Sequence, residues 1–296
     1  MKRAWLLLAL LVLVAAAAGL LLFRGGRPPA AAQSRRVATR GLAEYLASRY
    51  PGSRAIVVSN PFTQRRGLAK AVYAQEKASI RGIEEGLGGA IELKAVVFPE
   101  LRPEALQDPS RVEIDASSPT PLSYLMADGA FDHLLQEHPD CDLVISLVGM
   151  PLELGRVEAW RASSPVRFAL LFPDLRMLGS RASIRDAVRS GKLAAFVLPR
   201  PDPPDGESPA AGEYRTDFER HFILVTPETI DRVVESYPGL FTRIGAAPAP
   251  HGPTRMTLKN AESTPASRGM TAWRSLRTSV TGEKPAGSGE GAISTT

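Results

Sequence analysis

Three carboxylates stand just behind apolar runs of strand length: Glu100 after Phe98-Pro99, Asp174 after Phe172-Pro173 and Glu228 after Thr226-Pro227. Two carboxylates held at a fixed separation can do general acid–base work on a substrate. Each also has a plainer role. Glu228 suits the first turn of a helix, where an acid meets the positive dipole end. Asp174 suits a turn or a helix cap. Behind another such run come Ser59, Asn60, Thr63 and Gln64. They place neutral hydrogen-bonding groups beside a helix start, which favours a polar or anionic small ligand. Asn60 and Thr63 serve equally well as caps of the helix that follows. Met150 sits at a further strand end, so a concave polar site beside Asn60, Met150 and Asp174, with Glu100 at its margin, is the binding arrangement these residues allow.

Other chemistries lack their residues. The loop after the first strand reads Asn60-Pro61-Phe62-Thr63-Gln64, without a glycine fingerprint for phosphate, so no cofactor is expected. G-x-S-x-G, H-E-x-x-H and C-x-x-C patterns do not occur. His133 and His138 share a predicted helix with Cys141 and Asp142 nearby, but the two imidazoles point about 140° apart on that helix. No metal site is expected there. Cys141 is the single cysteine, so no disulfide forms within the chain and the fold rests on its core. No recognised catalytic motif is present, and the reading leans away from an enzyme.

The elements that must position these groups are legible as six apolar runs: Ala55–Ser59, Ile91–Phe98, Asp142–Val148, Val166–Phe172, Leu193–Leu198 and His221–Val225. Several are apolar on both faces, as strands buried in a parallel sheet are. Helical patterns alternate with most of them, over Gln64–Leu87, Leu122–His138, Leu152–Trp160, Ile184–Ser190 (Ser183 as N-cap) and Pro227–Ser236 (Thr226 as N-cap). Gly41–Tyr50 has helical spacing ahead of the first strand. Alternation of this kind predicts βαβ units with right-handed crossovers. The expected fold is α/β: three layers around a mostly parallel, flavodoxin-like or Rossmann-like sheet of five or six strands, in a single lobe. Proline follows each run almost at once, at Pro61, Pro99, Pro151, Pro173, Pro199 and Pro227. Proline cannot continue a central ladder. In a parallel sheet those strand ends share one edge, where ligands of open α/β sheets bind at the topological switch point. Proline as simple punctuation explains the same pattern. Two long loops, Pro99–Pro121 and Pro199–Thr216, hang from that region.

The chain ends read differently. Lys2 and Arg3 precede an uncharged apolar run from Trp5 to Phe23, long enough to span a bilayer as a helix. It reads as an uncleaved signal anchor, with a cleaved signal as the alternative. The expected organisation is an anchor at 1–23, a Gly/Pro/Ala linker at 24–38, an α/β domain at 39–245 and a disordered tail at 246–296. The formal net charge is +5. Much of the basic excess lies in the tail and beside the apolar run, at Arg24, Arg27, Arg35, Arg36 and Arg40, which points to anionic lipid headgroups rather than nucleic acid. The short basic N-terminus places the domain outside the cytoplasm, whereas the arginines behind the run favour the reverse. The reading adopted is a single-pass, extracytoplasmic (periplasmic) domain.

Asn60-Pro61-Phe62, with Ala74-Gln75 and Arg81-Gly82-Ile83-Glu84-Glu85-Gly86 behind it, resembles the first βα unit of type 1 periplasmic binding proteins. Cys141–Ser146 and Ser164–Asp174 are similar to later strands of the same lobe in ABC-type substrate-binding proteins. The resemblance covers about Arg54 to Leu198. It implies a non-enzymatic domain related to one lobe of a solute-binding protein, taking a small polar ligand or a protein partner at the strand ends. Family members close two lobes on a ligand, and the chain after Leu198 holds one more strand, a helix and a tail. The alternatives are a hydrolase-like enzyme built on Glu100, Asp174 or Glu228, and a structural interaction module.

Overall fold

The computed structural model of the protein describes residues 30–203 and 214–241. The expected anchor, the start of the expected linker and the expected tail lie outside those residues. Among the described residues no helix is long and apolar enough to cross a membrane.

In chain order the elements are α1 (Ala30–Arg49), β1 (Arg54–Val58), α2 (Lys70–Leu87), β2 (Glu92–Val97), α3 (Pro103–Gln107), α4 (Leu122–Leu125), α5 (Ala130–Glu137), β3 (Leu143–Ser146), β4 (Arg167–Leu171), α6 (Arg181–Arg189), β5 (Leu193–Pro199), α7 (Tyr214–His221), β6 (Phe222–Val225), α8 (Ile230–Ser236) and α9 (Pro238–Phe241). The strands form one six-stranded sheet in the order β2-β1-β3-β4-β5-β6. All neighbours are parallel except β5 and β6, which pair antiparallel with Phe196 opposite Val225 and Leu198 opposite Ile223. The flavodoxin-like, mostly parallel sheet is therefore present in a single lobe.

Strand alternation sorts side chains into two cores. Ile56 and Val58 of β1, Val144 of β3, Phe168 and Leu170 of β4 and Phe196 of β5 face α4, α5, α6 and α8. Ala55, Val57, Ile145, Ala169, Leu171 and Val197 face α1 and α2, joined by Phe222. Both faces of the central strands are dry, which is why these runs read as continuously apolar. The small residues Ala55, Ala169, Ala194 and Ala195 lie in the α1 core, so the helix can sit close to the sheet.

α1 and α2 run side by side and in the same direction. Arg36 donates its Nε to Glu85 Oε2 at 3.0 Å and closes a second contact to Oε1. A Cβ built at Gly82 would lie 2.5 Å from the Arg36 carbonyl oxygen and against Thr39 Oγ1. One at Gly86 would lie 2.5 Å from the Arg40 carbonyl oxygen and 2.6 Å from Ala43 Cβ. Glycine at both positions is what lets the helix backbones touch.

Several elements depart from the sequence reading. α1 begins at Ala30, so the expected linker from that residue on is helix, and its buried Ala32, Val37 and Ala38 belong to the domain. The long helix expected over Gln64–Leu87 is a 3-10 turn at Pro61–Gln64 followed by α2 from Lys70, with Gly67 at φ +99 between them. The pattern Leu122–His138 breaks in two at Gly129, whose φ of 75° no continuing helix adopts. Leu152–Trp160 gives two 3-10 turns. Ser180, rather than Ser183, caps α6 by accepting from the Ser183 amide at 3.1 Å. α8 starts at Ile230, because Thr229 Oγ1 takes the Thr226 amide and holds Pro227-Glu228 in a turn. The antiparallel direction of β6 puts Thr226, Pro227 and Glu228 at the edge opposite the other strand ends. There Glu228 accepts from Tyr45 Oη at 3.1 Å and lies 3.8 Å from Arg49.

Two outcomes follow from the α1–α2 contact. Gly82→Ala and Gly86→Ala each force a backbone carbonyl of α1 to retreat, costing about 1–3 kcal/mol. A thermal melt should fall by about 2–4 °C per kcal/mol, while an alanine at exposed Gly155 should leave it unchanged. Glu85 is held below the usual carboxylate range, first by the hydrogen bond from Arg36 and then by the charges of Arg36 and Arg81. A carboxylate depressed in the folded state binds fewer protons there than in the unfolded chain. Its contribution is therefore present above its ordinary pKa of about 4.3 and is lost as pH falls further. Urea midpoints measured from pH 7 to pH 3 should show a decline below about pH 4 that Glu85→Gln makes shallower.

Candidate functional site

The sheet order reverses between β1 and β3, so their carboxyl ends form the topological switch point. A crevice of about 60 Å³ lies there. Asn60 and Leu147-Val148 come from the two strand ends, Val72, Gln75 and Glu76 from α2, Thr120 from the opposite loop, Leu122 from α4, and Arg35 from α1.

Glu76 is the polar centre of the crevice wall. It is 7% exposed on the face of α2 that packs inward. Its Oε1 accepts the Asn60 amide at 3.0 Å and the Ser59 hydroxyl at shorter range. These donors come from the chain just after β1, so Glu76 fixes the strand end to the helix. Arg35 approaches from the other side. Its Nε donates to Ser79 Oγ at 3.0 Å and its Nη2 to the Leu147 carbonyl at 3.3 Å. Burial pushes the Arg35 guanidinium below its ordinary range, and the negative charge of Glu76 pushes it back up. The crevice thus holds a cation and an anion that share no direct ion pair among the described residues.

The residues singled out in the sequence distribute as follows. Ser59 and Asn60 are buried at the switch point. The Asn60 side chain accepts from the Phe62 amide at 3.0 Å and so caps the 3-10 turn Pro61–Gln64. Thr63 donates to the Asn60 carbonyl at 2.7 Å, and Gln64 is exposed on the loop. Met150 is buried in the core. Asp174 is buried, but its partners are Ser118, the Arg176 amide and the Arg176 guanidinium, which closes on it at 2.6 Å and also reaches Asp115 at 2.6 Å. This network clips the long loop after β2 to the end of β4. Glu100 is exposed and lies 3.4 Å from His133. The three carboxylates each serve a different neighbour, and Glu228 lies at the opposite edge. Asp142 accepts from the Arg54 amide and Ser53, tying β1 to β3 at their starts.

Four groups of the crevice escaped the sequence reading: Arg35, Gln75, Glu76 and Phe172. Glu76 carried a signal, since it falls on the stripe Val72, Glu76, Ser79, Ile83 that faces inward. A charge at helical spacing within an apolar stripe marks a buried acid that needs partners. Phe172, at φ 48°, is the non-glycine residue with left-handed backbone among the described residues, and it borders the crevice ahead of Pro173. Such backbone costs about 1–3 kcal/mol and gathers at binding and switch sites.

A larger groove of about 710 Å³ runs along β6 between α1, α7 and α8, with Tyr45, Tyr214, Phe218 and Tyr237 on its walls. Among the described residues no group of three or more His, Cys, Asp or Glu is placed to hold a metal ion.

No family model and no curated protein matches the sequence. Solved structures similar to the chain include a periplasmic ribose ABC transporter from Conexibacter woesei DSM 14684, at 18% identity and TM-score 0.38, covering 70% of this chain and 62% of that one. A carbohydrate transporter from Acidothermus cellulolyticus 11B in complex with myo-inositol is similar at 12% identity and TM-score 0.40, covering 71% and 63%. An ABC transporter periplasmic solute binding protein from Actinobacillus succinogenes 130z with bound D-allose is similar at 11% identity and TM-score 0.37, covering 67% and 62%. These are structures of the class that the sequence resembles, and the chain spans less than two thirds of their length.

Removing the Glu76 carboxylate strands two buried donors, the Asn60 amide and the Ser59 hydroxyl. Each stranded group costs about 1–3 kcal/mol. Glu76→Ala should lower the denaturant midpoint strongly, and Glu76→Gln, which keeps an acceptor oxygen, should lower it less.

Proposed function

We propose that this chain is a non-enzymatic, solute-binding-type α/β domain that takes a small polar ligand at the β1/β3 switch point. The observation that carries the reading is the crevice itself, where Arg35, Gln75 and Asn60 converge beside buried Glu76 at the place where open α/β sheets bind ligands. A volume of about 60 Å³ is equivalent to roughly two waters. One polar group of the ligand enters the crevice, and the rest seats on its mouth between α2 and the Pro119-Thr120 loop. Of Ser59, Asn60, Thr63, Gln64, Glu100, Met150 and Asp174, Asn60 lines the crevice; Ser59, Met150 and Asp174 are buried behind their strands, and Gln64 and Glu100 lie on exposed loops. The domain is held at a membrane, outside the cytoplasm, by the apolar run Trp5–Phe23.

A second reading has one observation in its favour. The β6 groove, at about 710 Å³, falls in the size range of ligand pockets and has aromatic walls. A protein segment or a flatter ligand would fit it.

Titration calorimetry against a panel of monosaccharides, polyols and small zwitterions tests both. Binding at the crevice predicts that Arg35→Gln or Gln75→Ala weakens the bound compound by about tenfold, the worth of one lost hydrogen bond, while Phe218→Ala leaves it unchanged. The reverse pattern moves the site to the β6 groove. A panel without any binder overturns the small-ligand reading.

A further inference from the structure

We infer that the edge of the domain carrying the crevice lies against an anionic lipid surface, with the loop Gln64–Lys70 as its contact. The inference rests on the anchored reading above and adds to it an orientation and a partner.

Direction comes from α1. Its first turns carry Arg35 to the carboxyl ends of β1 and β3, where the Nη2 group meets the Leu147 carbonyl, and its last turn ends at Arg49 beside Glu228 on the opposite edge. The chain therefore enters the domain from the crevice edge. The apolar run ends at Phe23 and α1 begins at Ala30. The stretch from Phe23 to Ala30 spans at most about 25 Å even when fully extended. A bilayer holding the run must face the crevice edge at close range.

The neighbouring surface suits that position. Gly82 sits against Arg36 and Gly86 against Arg40, so the two parallel helices are in step with Glu76 level with Ala30. The start of α2 at Lys70 then projects about 9 Å beyond Ala30 on the side from which the chain arrives. The loop ahead of it carries Arg65 and Arg66, which with Lys70 are all exposed, and the sequence holds no acid between Val58 and Glu76. Arg65 lies over the Phe62 ring and donates to the Leu106 carbonyl. Arg66 and Lys70 have no acidic partner among the described residues. Arg24 and Arg27 flank the apolar run in the sequence. Unpaired cations held within a Debye length of the surface are attracted to anionic headgroups. The ligand of the crevice accordingly enters sideways, between domain and bilayer.

The test uses the full chain in nanodiscs of mixed phosphatidylserine and phosphatidylcholine, with Cys141→Ala and one fluorophore at Gln64→Cys or at Ser48→Cys. Ser48 is exposed near the far end of α1, about 27 Å along the helix from Ala30. Lipids with a spin label at the headgroup should quench the Gln64 site several-fold more than the Ser48 site. Arg66→Glu with Lys70→Glu, or pure phosphatidylcholine, should reduce that quenching. Equal quenching at both sites, or more at Ser48, in chains that resist carbonate extraction overturns the orientation and leaves the anchor standing. Quenching indifferent to both the charge reversal and the lipid overturns the anionic contact and leaves proximity imposed by the short connection alone. Chains released by carbonate overturn the anchored reading and this inference together.

Discussion

The close contact of α1 on α2 governs the rest of the structure. Helix axes approach this nearly only where small residues face each other, and here Gly82 and Gly86 accept the backbone of α1 directly. Around that contact Arg36 reaches Glu85, Thr39 turns its hydroxyl to its own helix, and Val37, Leu42 and Leu46 close the core over Ile83 and Leu87. The register is decided by backbone contact rather than by the half-buried ion pair beside it, since such surface pairs contribute little alone. A shift of one residue would carry Arg35 away from the strand ends. The crevice is thus a consequence of helix packing some distance below it.

At the switch point polarity is spent on structure first. Glu76 holds the end of β1, Asn60 caps the turn that follows, and Asp174 binds Arg176 and Ser118 to clip a loop in place. A buried network of this kind rigidifies what it touches because each member is satisfied by another. What remains to meet a ligand is small: the Arg35 guanidinium, the Gln75 amide and the rim of the mouth. That arrangement suits recognition of one or two polar groups. It does not bring Glu100, Asp174 and Glu228 to one place; the carboxylate that shares Arg176 with Asp174 is Asp115.

Strand positions were legible because Val-, Ile-, Leu- and Ala-rich runs closed by proline have one easy reading as buried strands. Direction was not, because periodicity is the same for either sense; β6 starts directly after α7 and enters antiparallel. This moved Glu228 to the other edge. The start of α1 was hidden by composition: Ala30-Ala31-Ala32 after a Gly/Pro stretch reads as linker, yet alanine is the strongest helix former. Arg35 was invisible for a related reason. Read with Arg36 as a solvated cation beside the apolar run, it turns inward to Ser79 and the Leu147 carbonyl once the partner helix is in place. Asn60 and Thr63 were found: Asn60 caps the 3-10 turn and borders the crevice, and Thr63 donates to the Asn60 carbonyl. Glu76 was within reach through its place on the buried stripe of α2.

The claim that α1 is an integral wall of the crevice, rather than the end of a tether, is open to amide hydrogen exchange on the full chain. The account predicts that the amides of α1 from Val37 to Leu46, and of α2 from Ser79 to Leu87, exchange together at the slow rate set by global unfolding. The amides just ahead of Val37 should follow them, held by the Arg35 contacts. Exchange of α1 within seconds, beside a protected α2 and sheet, would contradict it.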